Sequence, residues 1–313
     1  MAASRPSILV SLLAEDQEYQ RLQAVDARAT AAHAGFDADV VFADNSAILQ
    51  IQHLYRAIHR PPEARPAAIV VETVVGEGLE RVARAAAQAG IGWILVNRRV
   101  PYLEDLRRSH PELPISLVGT DQVEVGRLQG RQFRTLIASD HGLVLYLQGP
   151  TDTSVAQERR QGAMEGLAGT HIELHALDGD WTEASGERAV ERWLRLKTSA
   201  SVRPDVLGCQ NDAMAVGAGR ALEGFHARPE LARLARTGCD GLADGGRRLV
   251  DMRRLAATVI TPSNTGPAIE LVARALKTRQ PAPAERMLAP TSYPALEELA
   301  QRQATRRDSG PRT

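Results

Sequence analysis

The chain is expected to be an α/β protein built as two doubly wound parallel-sheet lobes, and three observations lead there. Apolar runs of strand length alternate almost without interruption with amphipathic stretches of roughly 10–15 residues, the pattern of parallel strands with helices on both faces. The alternation restarts after residue 137, and 313 residues suffice for one large or two medium domains. Hydrophobic residues make up 43% and charged residues 24%, an ordinary globular composition that excludes a mostly disordered chain.

The elements follow in order. Ile8–Ala14 is an apolar run interrupted only by Ser11, hence a strand buried on both faces, and Tyr19–Ala34 is a helix stopped by Gly35. Asp39–Phe42 is a short strand, and Ala47–Ile58 a helix ended before Pro61-Pro62. Ala67–Val71 is a strand, Gly78–Ala89 a helix capped by Gly90, and Trp93–Val96 another strand. A Pro-punctuated loop precedes strand Ile115–Val118 and helix Gln122–Ile137. The second series runs through strand Leu143–Leu147, helix Ser154–Leu167, strand Ile172–Ala176 and helix Glu183–Leu196. Strand Val206–Cys209, helix Ala213–Gly224, strand Arg236–Cys239 and helix Leu242–Val250 continue it. Strand Ala257–Ile260, helix Thr265–Leu276 and a strand near Met287–Ala289 end it, and the polar tail at 299–313 is expected to be disordered.

Composition removes several function classes. Lys+Arg and Asp+Glu both number 38, so no excess cation is available to neutralise a phosphate backbone, and a direct nucleic-acid partner is not expected. Two cysteines, Cys209 and Cys239, exclude a disulfide scaffold and a Cys-only zinc site. No apolar run reaches the length of a membrane span. Only Lys197 and Lys277 are lysine, a bias that fits a GC-rich coding sequence. Arg5 followed by Ile8–Ala14 mimics a short signal peptide, but Glu15 and Asp16 arrive at once and no small-x-small cleavage site follows. A first strand is the better reading, and on it the chain is expected to be cytoplasmic.

Ligands of open α/β sheets bind beyond the carboxyl ends of the strands, so polar residues there carry weight. The first half offers Glu15-Asp16, Glu72-Thr73 and Asn97-Arg98; the second offers Gln210-Asn211-Asp212, Asp240-Gly241 and Thr261-Pro262. Helix capping explains any one of them. Six in a row from two sheets, one of them containing an arginine unsuited to an N-cap, point to a polar ligand site.

Seven segments in order then resemble the type I periplasmic-binding-protein fold, shared by ribose-type sugar receptors and the sensor domains of LacI-type repressors. They are AGIGWILVNRR (Ala89–Arg99), VGTDQVEVG (Val118–Gly126), TSVAQERRQG (Thr153–Gly162), DGDW (Asp178–Trp181), CQNDAMAVGAGRAL (Cys209–Leu222), TGCDG (Thr237–Gly241) and LAATVITP (Leu255–Pro262). The resemblance implies two lobes joined by three crossovers, near Thr120, Pro262 and Pro281–Pro283, that close like a flytrap on a ligand in the cleft between them. It places 5–119 with 263–283 in the N-terminal lobe, and 120–262 with 284–298 in the C-terminal lobe. The residues it puts at the ligand are Asp16, Asn97 and Arg98 on the first lobe, and Arg159, Trp181, Asn211 and Asp240 on the second. Carboxylates accept from vicinal hydroxyls and arginine donates in a fork, which suits a polyhydroxylated ligand. Trp181 is the aromatic candidate to cover a ring face, with Tyr19 a second. Asp212 is expected to cap its helix.

Departures from the family pattern bear on the ligand. Asn97 stands where the sugar receptors carry Asp, Thr261 where ribose-type receptors carry Gln, and AEDQEYQ keeps only Tyr19 of an aromatic pair. Losing an acid while keeping two arginines makes the cleft less negative, which would suit a sugar acid or another anionic polyol. No cofactor or metal is expected. Gly76-x-Gly78 lacks a third glycine at Arg81, no phosphate loop or GxSxG elbow occurs, and His171/His175 lack a further ligand, so no enzyme is expected. A strand starting near Ile8 leaves no room for a helix-turn-helix headpiece. The expected function is a solute-binding protein that captures a sugar, sugar acid or related polyol for a sugar-type ABC transporter. The alternative is a cytosolic ligand sensor that signals to a partner regulator or kinase. The compartment stays divided between the absent signal and the periplasmic resemblance.

Overall fold

A computed structural model describes residues 5–76 and 78–308; the last five residues of the expected disordered tail, 309–313, lie outside the described residues. The chain divides into two compact units, the first made of residues up to Thr120 with Ser263–Leu288, the second of Asp121–Pro262 with residues from Ala289.

The first unit follows the βα rhythm. Its elements are β1 (Ser7–Leu12), α1 (Glu18–Ala34), β2 (Asp37–Phe42), α2 (Ala47–Ile58), β3 (Ala68–Val71), α3 (Glu80–Gln88), β4 (Gly92–Val96), α4 (Leu103–Ser109) and β5 (Ile115–Thr120), then α10 (Thr265–Thr278) and β11 (Glu285–Leu288). The strands form one parallel sheet in the order β2-β1-β3-β4-β5-β11. Both faces are covered, which is why the strands read as continuous apolar runs. Leu9, Ile69, Val71, Trp93 and Leu95 pack under α2, α3 and α4. Their alternates Ile8, Val10, Val70, Ile94 and Val96 pack under α1 and α10. Gly35, with φ 84°, ends α1 and returns its N–H to Ala31 and Ala32.

The second unit contains α5 (Gln122–Ile137), β6 (His141–Gln148), α6 (Ser154–Gly166), β7 (His171–Asp178), α7 (Glu183–Arg195), β8 (Val206–Cys209), α8 (Asp212–Gly224), β9 (Ala235–Thr237), α9 (Arg248–Asp251), β10 (Thr258–Ile260), β12 (Thr291–Tyr293) and α11 (Leu296–Asp308). Its parallel sheet runs β7-β6-β8-β9 and is extended by single bridges from Thr237 to Ala257 and from Asp240 to Ile260. β12 then closes antiparallel on β10. Glycines set the approach of α5 and α6. A Cβ on Gly162 would lie 1.9 Å from the Val123 carbonyl, and one on Gly126 would lie 2.1 Å from the Arg159 carbonyl. Only glycine permits that backbone contact, and it fixes where Arg159 stands.

Several expectations are corrected. Residues 299–308 are helical and not disordered, because Leu299 is 2% exposed in the core and Gln303 Nε2 donates 2.8 Å to the Leu136 carbonyl. The third crossover follows Leu288, beyond Pro281–Pro283, since residues 285–288 pair with β5 and so belong to the first unit. The loop after β4 holds the unforeseen α4, with Glu104 and Asp105 in its first turn, Arg107 and Arg108 in its last, and Leu106 buried. The helix expected over Leu242–Val250 is an irregular turn at Ala243–Arg247 leading into the short α9. Gly245 is non-helical there, and a Cβ on Gly246 would strike the Asp212 carboxylate.

Candidate functional site

In the first unit the strand ends converge on Glu72, which follows β3 and is 2% exposed. Its Oε2 accepts from Gln20 Nε2 at 3.0 Å and its Oε1 from Asn97 Nδ2 at 2.9 Å. The Arg98 guanidinium lies 4.0 Å from Oε1 through Nε, and its Nη1 donates to the carbonyls of Thr73 at 2.8 Å and Val74 at 2.9 Å. Arg98 is thus buried and tied to the loop after β3 as well as to the carboxylate. Asn97 has φ 66°, a left-handed backbone that asparagine tolerates and that turns its side chain back to Glu72. Tyr19 is half-buried, and its hydroxyl accepts from Asn264 Nδ2 at 3.2 Å. Asp16 lies outside this cluster. It is exposed in a shallow concavity with Glu15, Arg21, Asp44 and Asn45, and its carbonyl accepts from Arg21 Nη1 at 2.9 Å.

In the second unit the centre is Arg159. Its neighbours Arg160 and Glu158 are exposed and half-buried, but Arg159 is only 4% exposed. Its Nε donates to Gln122 Oε1 at 2.8 Å, its Nη1 donates to the Gln210 carbonyl, and Asp240 Oδ1 lies 4.0 Å away. The guanidinium sits 5.7 Å from the Trp181 ring centroid, within cation–π range. That ring also lies flat on Gly149, where a Cβ would come within 2.0 Å of it. Asn211 is the N-cap of α8, with Oδ1 accepting from Met214 N at 2.9 Å, while its Nδ2 donates to the Trp181 carbonyl at 2.8 Å. The amide therefore holds both a helix and the aromatic residue. Trp181 has φ 73° and Asp240 φ 101°, conformations disfavoured for such side chains, so two residues of this set are held on strained backbone.

Three further sequence readings meet the coordinates here. Asp212 does not cap α8. It is buried, with Oδ2 accepting from Gly241 N at 2.8 Å and Oδ1 from Thr258 Oγ1 at 2.7 Å, because Asn211 already fills the cap position. His171 and His175 are exposed, and His171 stacks on His141 with centroids 4.7 Å apart. Cys209 and Cys239 are fully buried free thiols. Burial, helped at Cys209 by the Asp212 charge, pushes both well above the ordinary thiol range.

The sequence reading names Glu72 and Gln210 among the polar strand ends but places neither at the ligand, and it leaves out Gln20 and Gln122. Glu72 and Gln210 carry a signal by directly following apolar runs, but Gln20 and Gln122 carry none. Taken together, each unit offers a buried guanidinium beside a carboxylate, with amides around them and a tryptophan in the second. These are fixed donors and acceptors plus one aromatic face, a chemistry of recognition.

The comparisons agree with this architecture. The galactofuranose-binding protein of Escherichia coli (strain K12) is 25% identical over 205 residues, which cover 65% of this chain and 62% of that protein. The match thus spans less than two thirds of that relative's length. An ABC transporter periplasmic solute binding protein from Actinobacillus succinogenes, solved with bound D-allose, superposes with TM-score 0.80 at 20% identity, covering 95% of this chain and 100% of that one. The fructose binding periplasmic domain of a hybrid two component system superposes with TM-score 0.77 at 20% identity, covering 97% of this chain and 96% of that one. At such identities the structural likenesses establish the fold. The family assignment comes from the sequence itself: residues 8–276 match the periplasmic binding protein domain, and the chain belongs to that family.

Proposed function

We propose that the chain is a solute-binding protein that captures a small polyhydroxylated ligand and serves as receptor for a sugar-type ABC transporter. The observation that carries this reading is the pairing of Arg159 with Asp240 under Trp181, held by strained backbone at φ 73° and 101°. Such strain persists where surrounding structure over-determines it, and it collects at binding sites. A guanidinium fork, a carboxylate and an aromatic face together read vicinal hydroxyls and the C–H face of a sugar ring. The names of the galactofuranose-binding relative and of the allose-bound neighbour support the ligand class and the transport role.

A second reading, a sensor that reports ligand to a signalling partner, draws support from the fructose-binding two component neighbour. Fractionation of the native host bears on both: cytoplasmic recovery would sink the receptor role, and extracytoplasmic recovery would sink a cytosolic sensor but not one on the periplasmic side, as in this neighbour.

The binding function is tested by thermal unfolding with D-galactose, D-allose, D-fructose and D-galacturonate. A sugar at about 100 times its Kd should add about 2.7 kcal/mol of stability. Asp240→Ala should abolish that gain while the ligand-free protein still unfolds cooperatively. Retention of the full gain in Asp240→Ala would move the site elsewhere, and no response to any of the four would defeat the proposed ligand class.

A further inference from the structure

The acid missing at Asn97 is present just beyond the end of the neighbouring strand. β3 and β4 are adjacent and parallel, with Val71 opposite Leu95, so Glu72 comes level with Val96, one residue before Asn97. Glu72 is fixed from both ends. Gln50 donates to its carbonyl at 2.8 Å and accepts from Val74 N at 2.9 Å, while Gln20, whose Oε1 accepts from Leu13 N at 3.1 Å, donates to its carboxylate. A carboxylate can only accept, so Asn97 must turn its NH2 towards Glu72, which directs the amide oxygen to the opposite side. The same carboxylate faces the buried guanidinium of Arg98.

We infer that Glu72 is a positioning and specificity-determining residue of the first unit's binding set. It fixes Asn97 as a neutral acceptor and balances Arg98, so that this set favours an uncharged polyol over its carboxylate analogue. The inference rests on the binding function proposed above, and it reverses the sequence expectation of a cleft suited to a sugar acid. Arg159 and Asp240 repeat the balance in the second unit, so each buried arginine of the two sets faces a carboxylate of its own unit.

Two measurements on the full chain test it. The first is a double-mutant cycle of Glu72→Gln and Asn97→Asp, read by urea unfolding without ligand. Asn97→Asp alone sets two carboxylates at hydrogen-bond distance and should lower the unfolding midpoint most. Glu72→Gln added to it supplies an amide donor to the new acid and should restore most of the loss. Strict additivity would overturn the positioning role. The second is the ratio of affinities for D-galactose and D-galacturonate, which differ only in oxidation at one carbon. Wild type should favour D-galactose, and Glu72→Gln should shift the ratio at least about 10-fold towards D-galacturonate. A uniform weakening for both probes would leave Glu72 merely structural and overturn the specificity role. If wild type takes up neither probe, the specificity role falls, while the binding reading is decided by the four-compound unfolding test and the unfolding cycle still decides whether Glu72 positions Asn97.

Discussion

Each unit buries one arginine beside a carboxylate, and the two are held by different means. Arg98 follows a strand and donates to the carbonyls of Thr73 and Val74, so it staples a loop. Arg159 projects from α6, whose glycines lock against α5, and it meets Gln122, Gln210, Asp240 and the face of Trp181. Arg98 therefore organises one loop from outside the helix layer, whereas Arg159 is embedded in the helix packing of its unit. Similar charge pairs can thus differ in how far a disturbance spreads, because that depends on what the partner groups belong to.

The largest expected effect tests the helix lock. Gly162→Val would drive its side chain into the Val123 carbonyl, and the second unit should lose more than about 4 kcal/mol. Urea unfolding followed with limited proteolysis should show residues 121–262 cleaved first while the first unit keeps its protection. Uniform cleavage would deny that the lock is local.

Next comes the comparison itself. Arg159→Ala removes the guanidinium beside Asp240 and the donor to the Gln122 amide oxygen and to the buried Gln210 carbonyl, for a cost of about 3–5 kcal/mol. Arg98→Ala strands Glu72, but that carboxylate keeps two amide donors, so about 2 kcal/mol is expected. Equal costs by denaturant titration, or the reverse order, would break the distinction.

Both cysteines lie in the second unit, so thiol chemistry reports on that unit alone. With Cys209 and Cys239 buried and their thiols held protonated, reaction with Ellman's reagent at pH 8 should be slowed at least about 100-fold relative to the unfolded chain. Both pKa values are raised in the fold, so the native state loses stability relative to the unfolded one as pH climbs past the ordinary thiol pKa. The unfolded thiols ionise first, and thiol-linked destabilisation therefore sets in above that pH. Fast reaction in the native protein would mean that the second unit opens readily.

The smallest effect expected is at Tyr19→Phe, which removes one acceptor from Asn264 Nδ2 at 3.2 Å. A loss of about 0.5–1.5 kcal/mol in unfolding is anticipated, with the rest of the first unit's cluster unchanged. A much larger loss would mean that Tyr19 belongs to the Glu72 cluster after all.

Much of the fold was legible because buried parallel strands and their covering helices leave different apolar periods. Gln122–Ile137 and Val206–Cys209 were read to the residue. The misses have physical causes. Residues 299–308 are polar enough to read as disordered, yet the one turn that carries Leu299 is anchored by the core. Helix Leu242–Val250 follows from the alternation of strands and helices, but Gly245 is non-helical and Gly246 packs against the Asp212 carboxylate. In the site, Arg159 could be singled out from Arg160 only by its spacing to Gly162, and the burial of Arg159 supplies the reason the two differ.

The sequence by itself determined the alternating elements, the family and the polar character of the strand ends, since periodicity and motif order are local or one-dimensional. Tertiary structure alone decided the partners. That Glu72 lies beside Asn97 depends on β3 and β4 being neighbours, and that Gln20 and Gln122 complete the two sets depends on helix packing. A glutamine has no sequence signature for such work. Its meaning comes only from the groups that packing sets within hydrogen-bond reach.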